Sequence, residues 1–293
     1  MTIDTLVQDI YGVIDGNGLW DMTNSHHLGQ DIETTTYRRL GKDNQRDPLA
    51  RGGLRMSNLG QPCTRKLWYT CNLPASDAEQ LRPSTKFKFL YGDLLEDVII
   101  NLVIAAGHEV TGLQGEMSID GIKGHRDCVI DGMTVDVKTA SPFAFTKFKK
   151  GELRGEGKDA FGYIGQLSSY VYAAKDDPLV TDKKRGAFLA VDKVSGEICL
   201  DIYDFTKEIA EKEETVKRIK AEVNASEPPA RAFEPVADGK QGNMKLPVNC
   251  SYCDFKKHCH PGLRTFLYSG GPRFLTEVVK KPFNKYGPIR EAY

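Results

Sequence analysis

Leu6, Ile10, Val13 and Ile14 recur at the spacing of one helical face and predict a helix near the start of the chain. Ser57 is placed to cap a later helix holding Cys63, Leu67 and Trp68, with Pro62 near its start. The strongest helical pattern runs from Phe87 to Val103 through Leu90, Leu94, Leu95, Val98, Ile99 and Leu102, with Gly107 as its stop. The texture then changes to alternation. Residues 109–139 predict three short strands turned at Asp120-Gly121 and Asp131-Gly132. A helix follows at about 160–175, around Tyr163, Leu167, Tyr170 and Val171. Strands near 186–192 and 197–203 flank the turn at Lys193–Gly196, and a charged helix is expected at about 205–224. Pro228, Pro229, Pro235 and Pro247 mark 226–249 as a long connection, and the chain closes on a Gly/Pro-rich tail. This order predicts an α/β core with helical additions at both ends.

Composition narrows the class only a little. The 293 residues are 40% hydrophobic and 27% charged, as in an ordinary globular protein. No apolar run approaches membrane-spanning length, so no membrane partner is expected. The N-terminus lacks a basic start followed by an apolar stretch, so a cytoplasmic setting is expected, the host cytoplasm for a phage-encoded chain. The 40 basic and 40 acidic residues cancel, which argues against a non-specific DNA coat protein. They leave room for an enzyme whose carboxylates hold metal while local basic strips hold phosphate. Seven cysteines, an odd number, argue against a disulfide framework.

The segment Gly124-His125-Arg126-Asp127 followed by Met133-Thr134-Val135-Asp136-Val137-Lys138 carries the candidate chemistry. Side chains alternate along a strand, so Asp136 and Lys138 project together while Met133, Val135 and Val137 face a core. A hairpin through Asp131-Gly132 brings Asp127 beside Asp136, and Glu96 lies on the preceding helix. Hydrolysis of a phosphodiester needs hard oxygen ligands for magnesium or manganese, and a lysine near the scissile phosphate. A lone D-x-K is as well read as the solvated face of an amphipathic strand. The combination is what distinguishes this chain.

Gly92-x-x-x-Glu96, Gly124-His-x-Asp127, Asp136-Val-Lys138 and Gln166-x-x-x-Tyr170, in that order, resemble the PD-(D/E)XK superfamily, in particular its RecB-like exonuclease branch. The resemblance covers roughly residues 57–262. It implies a restriction-endonuclease-like core with a central mixed sheet flanked by helices. It implies Glu96, Asp127 and Asp136 as metal ligands with the Val137 carbonyl, Lys138 as the catalytic lysine, and Gln166 and Tyr170 as DNA-binding or bracing residues. His125, in Gly-His-x-Asp, reads as orienting Asp127, with a role as a metal ligand the lesser alternative. Many RecB-like members carry histidine where this chain has Glu96, while other exonucleases of the superfamily use glutamate there, which leaves the number of metals open.

Cys250-x-x-Cys253 followed by Cys259 is an incomplete metal-binding array that needs a fourth ligand from elsewhere. Cys63 leads and Cys71 is the alternative. Zinc remains open because His258 and His260 flank Cys259. A one-plus-three split across a nuclease core is similar to the iron–sulfur nucleases, the AddB-type and CRISPR-associated RecB-like enzymes. Pro62-Cys63-x-Arg65-Lys66-Leu67-Trp68-Tyr69 resembles their upstream cysteine segment. That likeness implies a [4Fe–4S] cluster on Cys63, Cys250, Cys253 and Cys259, in a subdomain formed by 57–80 and 245–262 from the two ends of the core. Residues 1–56 are then a helical extension and 263–293 a tail. Cys128 and Cys199 fall in strand patterns and read as small hydrophobes.

Phe143 to Lys150 interleaves aromatic and basic residues. Lys147, Lys149 and Lys150 are candidates for phosphate contact and Phe148 for base stacking, against the alternative of an amphipathic helix with its phenylalanines in the core. The expected function is a magnesium- or manganese-dependent DNA exonuclease acting on single-stranded or frayed ends, in DNA processing, recombination or repair. Its competitors are a non-catalytic DNA-end-binding factor on the same fold and a zinc-stapled DNA-binding module.

Overall fold

The structure is a computed structural model that describes residues 2–41, 47 and 49–292. Part of the expected N-terminal extension, residues 42–46 and 48, lies outside the described residues. The helices are α1 (Leu6–Ile14), α2 (Met22–Leu40), α3 (Thr64–Asn72), α4 (Pro83–Ala105), α5 (Pro142–Lys149) and α6 (Tyr163–Ala173). They continue with α7 (Thr206–Ala210), α8 (Lys212–Val223), α9 (Val248–Ser251) and α10 (Lys256–Cys259). The first strands are β1 (Val110–Thr111), β2 (Glu116–Ile119), β3 (Ile122–His125), β4 (Cys128–Ile130) and β5 (Met133–Ala140). After them come β6 (Arg185–Asp192), β7 (Ile198–Asp204), β8 (Val236–Ala237), β9 (Met244–Lys245) and β10 (Arg264–Tyr268). The last are β11 (Gly271–Glu277), β12 (Phe283–Asn284), β13 (Gly287–Pro288) and β14 (Glu291–Ala292).

The chain divides into two compact units. The first comprises Met1–Arg46, Leu54–Gly60 and Leu81–Arg218. Its centre is a mixed sheet in the order β1-β4-β5-β6-β7, parallel between β5 and β6 and antiparallel elsewhere. The parallel pair requires a crossover, which α5 and α6 supply. One face of the sheet, with Met133, Val135 and Val137 of β5 and Ala187 and Leu189 of β6, packs on Leu6 and Ile10 of α1 and Ile99 and Val103 of α4. On the opposite face Ala140, Phe188 and Ala190 meet Phe145 and Phe148 of α5 and Leu167 and Val171 of α6. With both faces covered, β6 reads as a nearly continuous apolar run. The same cover leaves Asp136, at 3% exposure, a charge that must find partners inside the protein.

The second unit comprises Asp47–Gly53, Gln61–Gln80 and Ile219–Tyr293. It holds α3 and an antiparallel sheet in the order β14-β10-β11-β9-β8, with the hairpin β12–β13 beside it in sequence. Phe266, Leu275 and Ile289 form its small core.

Several expectations change. The segment 109–139 yields five strands, because the chain turns again between β3 and β4. Asp120 and Asp131 both adopt positive φ (48° and 47°), as type I′ turns with glycine in second place require. The charged helix splits into α7 and α8. Ser57 belongs to a separate 3₁₀ turn, Met56–Asn58, and Cys63 is the N-cap of α3, outside the helix proper. Residues of the expected extension enter the core through α1, although Ile14 is 57% exposed. The expected tail forms strands, with Phe266 and Leu275 alternating inward from β10 and β11.

Candidate functional site

In β4 and β5 Cys128 pairs with Val135, and the same register one step on sets Asp127 against Asp136. The Val137 amide donates to Asp127 Oδ2 at 2.9 Å and fixes that carboxylate on the strand. Lys138 forms an ion pair with Asp136 Oδ2, an oxygen that has no hydrogen bond of good geometry. Gln166 Nε2 of α6 donates to Asp136 Oδ1 at 3.3 Å. Glu96 joins from α4, and Gln114 Nε2 donates to its Oε1 at 3.1 Å. Asp93, one turn before Glu96, is held by Arg38 and Arg39 of α2.

These groups sense one another. Burial, then the neighbouring Asp127 and Asp136, push the Glu96 carboxyl up to about 8. Burial and Asp136 push Asp127 up to about 7. Burial works against the Lys138 ammonium, but Asp136 and Asp127 override it and hold its pKa above the ordinary value. Three carboxyls beside one ammonium in a poorly solvated place resist ionising together, and a divalent cation would favour their charged forms. The donors are hard oxygens, as magnesium and manganese prefer. Among the described residues no three of them stand closed at ligand spacing, and Asp136 is occupied by Lys138.

Helix α6 faces this cluster with three residues at i, i+3 and i+7. Lys138 Nζ lies 5.3 Å from the centroid of the Tyr163 ring. Gln166 reaches Asp136, and Tyr170 is 3% exposed. Burial pushes the Tyr170 phenol up to about 12, so it stays a neutral brace. Asp159 caps the helix by accepting from the amides of Tyr163 and Ile164, both at 2.9 Å. Gly60 approaches so closely that a Cβ there would stand 2.6 Å from the Gln166 amide nitrogen. The sequence reading passed over Tyr163 and Gln114. Tyr163 was detectable because it shares the helical face of Gln166 and Tyr170. Gln114 carried no signal. His125 is exposed.

The proposed stacking residue Phe148 is a correction. The helical period of α5 turns Phe145 and Phe148 into the core, and Phe148 meets Phe188 edge-on at 5.4 Å. Phe143 is the exposed aromatic, at 78%, and Lys147 Nζ lies 5.2 Å from its ring centroid. Lys147 also donates to the Lys158 carbonyl at 2.6 Å, and Lys149 pairs with Glu197 at 3.0 Å. Lys150 is exposed.

Cys63, Cys250, Cys253 and Cys259 all belong to the second unit. Burial first, then Cys253, Cys63 and Cys259, push the Cys250 thiol up to about 12, with Arg231 pulling the other way. Burial pushes Cys253 up to about 11, with Cys63 again a neighbour and Lys66 opposing. Burial alone raises Cys71. The field of the thiols therefore groups Cys63, rather than Cys71, with the C-terminal three. Soft sulfur donors beside Lys66 and Arg231 suit an anionic thiolate cluster, though no three are closed at ligand spacing. Cys128 is fully buried and Cys199 half-buried, each on a core strand.

No helix among the described residues is long and apolar enough to cross a membrane. No family model matches the chain, and no curated protein matches it. Among solved structures, the crystal structure of SSO0001 aligns with a TM-score of 0.41 at 15% identity, covering 80% of this chain and 94% of that one.

Proposed function

We propose that this protein is a metal-dependent DNA exonuclease of the PD-(D/E)XK superfamily, on a restriction-endonuclease-like core, acting on single-stranded or frayed ends. The observation that carries the reading is the buried Asp136–Lys138 pair, set beside Asp127 and within electrostatic reach of Glu96, with Gln166 bonded to Asp136. Glu96, Asp127 and Asp136, with the Val137 carbonyl, would hold magnesium or manganese. The metal supplies Lewis-acid polarisation of the phosphate and an acidified water. Lys138, kept charged by its two aspartates, would orient an attacking water and meet negative charge developing on the phosphate. Gln166 and the Val137 amide hold the two aspartates in place, and the Tyr163 ring and Tyr170 keep α6 against the strand. Cys63, Cys250, Cys253 and Cys259 would hold a [4Fe–4S] cluster that clamps the early and late segments of the second unit. Closing a loop that long is otherwise entropically costly.

The test is digestion of end-labelled linear DNA, linear duplex and circular single strands with added manganese. Loss of label from linear single strands with the circle untouched is the expected result. Rapid cutting of the circle would show an endonuclease. An inert protein with all three substrates would remove the catalytic reading.

A further inference from the structure

The second unit contains an aromatic and basic surface that the carboxylate site does not use. Residues 278–290 carry Lys280, Lys281, Lys285 and Arg290 and no carboxylate. The unit as a whole has fifteen lysines and arginines against ten aspartates and glutamates, so it is basic within a chain of zero net charge. Strands β12 and β13 form a tight hairpin, pairing Phe283 with Pro288 and Asn284 with Gly287. Asn284 Oδ1 accepts from the Tyr286 amide at 2.8 Å, and the Ile289 amide donates to the Pro282 carbonyl at 2.8 Å. Pro282 and Ile289 are buried, so the hairpin has a fixed base. Its tip presents Tyr286 at 84% exposure and its first strand Phe283 at 59%, with Lys285 Nζ 4.8 Å from the Tyr286 ring centroid.

Two rings on a short, anchored hairpin leave most of their apolar surface in solvent. Beside them lies a concavity of about 600 Å³ lined by Leu267, Ile289, Lys281, Arg290 and Glu291 among others. The Glu291 carboxylate is gripped by both Arg264 Nε and Nη2, at 2.6 and 2.7 Å, which offsets its charge. A ring for a base next to a cationic hollow for a phosphate is the pairing that single-stranded nucleic acid requires.

We infer that the β12–β13 hairpin and the adjoining hollow are a docking surface for single-stranded DNA, with unpaired bases on Tyr286 and Phe283 and a phosphate between Lys281 and Arg290. This rests on the reading of the protein as one that acts on DNA, but it concerns binding and not cleavage. The probe is a fluorescent oligothymidylate, titrated by anisotropy with the full chain, purified without oxygen, in the absence of added divalent metal. The Phe283→Ala/Tyr286→Ala double variant should bind roughly 10- to 100-fold more weakly. Lys281→Gln/Arg290→Gln should flatten the dependence of affinity on salt by about one to two counterions. All four side chains are exposed, so unchanged thermal melting of the variants is expected and is checked in parallel. Lys217→Gln, at an exposed position of α8 in the first unit, is used as a comparison and should bind as the parent does. Unchanged affinity in the aromatic variant overturns the proposal. So does equal affinity for a blunt duplex, or a change in oligomeric state of the variant, which would mark the hairpin as a contact between copies. Intact hairpin-dependent binding in a protein that cuts nothing would refute the exonuclease reading and leave this one standing.

Discussion

Glu96, Asp127 and Asp136 stand on a helix, a hairpin arm and a central strand of the first unit, while Cys63, Cys250, Cys253 and Cys259 stand at helix ends and turns of the second. Both are groups of ionisable side chains in poorly hydrated places. The carboxylates have a counter-charge built in, since Lys138 pairs with Asp136 and the Val137 amide with Asp127. Burial and the neighbouring thiols favour the protonated form of Cys250, near 12, and burial does the same for Cys253, near 11. A metal group at either place must therefore displace protons, from Cys250 and Cys253 in the one and from Glu96 and Asp127 in the other, but only the carboxyls have an ammonium beside them.

The comparison breaks most sharply at Lys138. Lys138→Ala and Asp136→Asn should each lower cleavage of end-labelled linear DNA by about a thousandfold or more, because both serve charge at the phosphate. Lys138→Ala retaining near-parent turnover would move the chemistry elsewhere. On the thiol side, protein purified without oxygen should be brown with about four irons per chain. Substituting Cys63, Cys250, Cys253 or Cys259 by alanine should bleach it and cause aggregation, whereas Cys71→Ala should keep colour and iron. A colourless protein holding one zinc would overturn the cluster.

Gly60→Ala sharpens the difference between positioning and chemistry. The new methyl group meets the backbone at Gly162 and Gln166, so α6 must shift, at a cost of about 1–3 kcal/mol. Turnover should fall roughly tenfold with little change in iron content. Equal loss of both would show that the substitution unfolds the chain generally.

The pH dependence of metal-free stability is a smaller effect. Glu96 and Asp127 have folded values near 8 and 7, above their ordinary values of 4.5 and 3.8. Between those limits the folded state binds more protons than the unfolded, so stability falls as pH rises from about 4 to 8. Thermal melts without metal should therefore drop from pH 5 to pH 8, and manganese should restore more at pH 8. Glu96→Gln should flatten the slope. The smallest effect expected is that of Lys149→Gln, under about twofold in DNA affinity, because Lys149 pairs with Glu197 at an exposed site.

Much of the candidate site was legible beforehand. Asp131-Gly132 specified a two-residue turn, and a two-residue turn fixes the register that sets Asp127 against Asp136. Strand alternation then required Asp136 and Lys138 to share a face. The helical face of Gln166 and Tyr170 was equally plain. What the pattern missed was the environment of a face. The segments around Phe148 and Phe283 both mix aromatic and basic residues. In α5 the period carries Phe145 and Phe148 under the sheet, whereas the short β12–β13 hairpin leaves Phe283 and Tyr286 largely exposed.

The sequence by itself determined which side chains lie on one side of an element, because helix and strand periods and turn geometry are local properties of the backbone. It therefore settled the Asp127–Asp136–Lys138 arrangement and the burial of Met133, Val135 and Val137 together. Only the tertiary structure decided what each side meets. It brought Glu96 of α4 and Tyr163 of α6 to the strand, grouped Cys63 rather than Cys71 with the late cysteines, and folded the expected tail into a sheet. Those outcomes depend on long-range packing, in which buried apolar area and the cost of an unpaired charge are settled by residues far away in the chain.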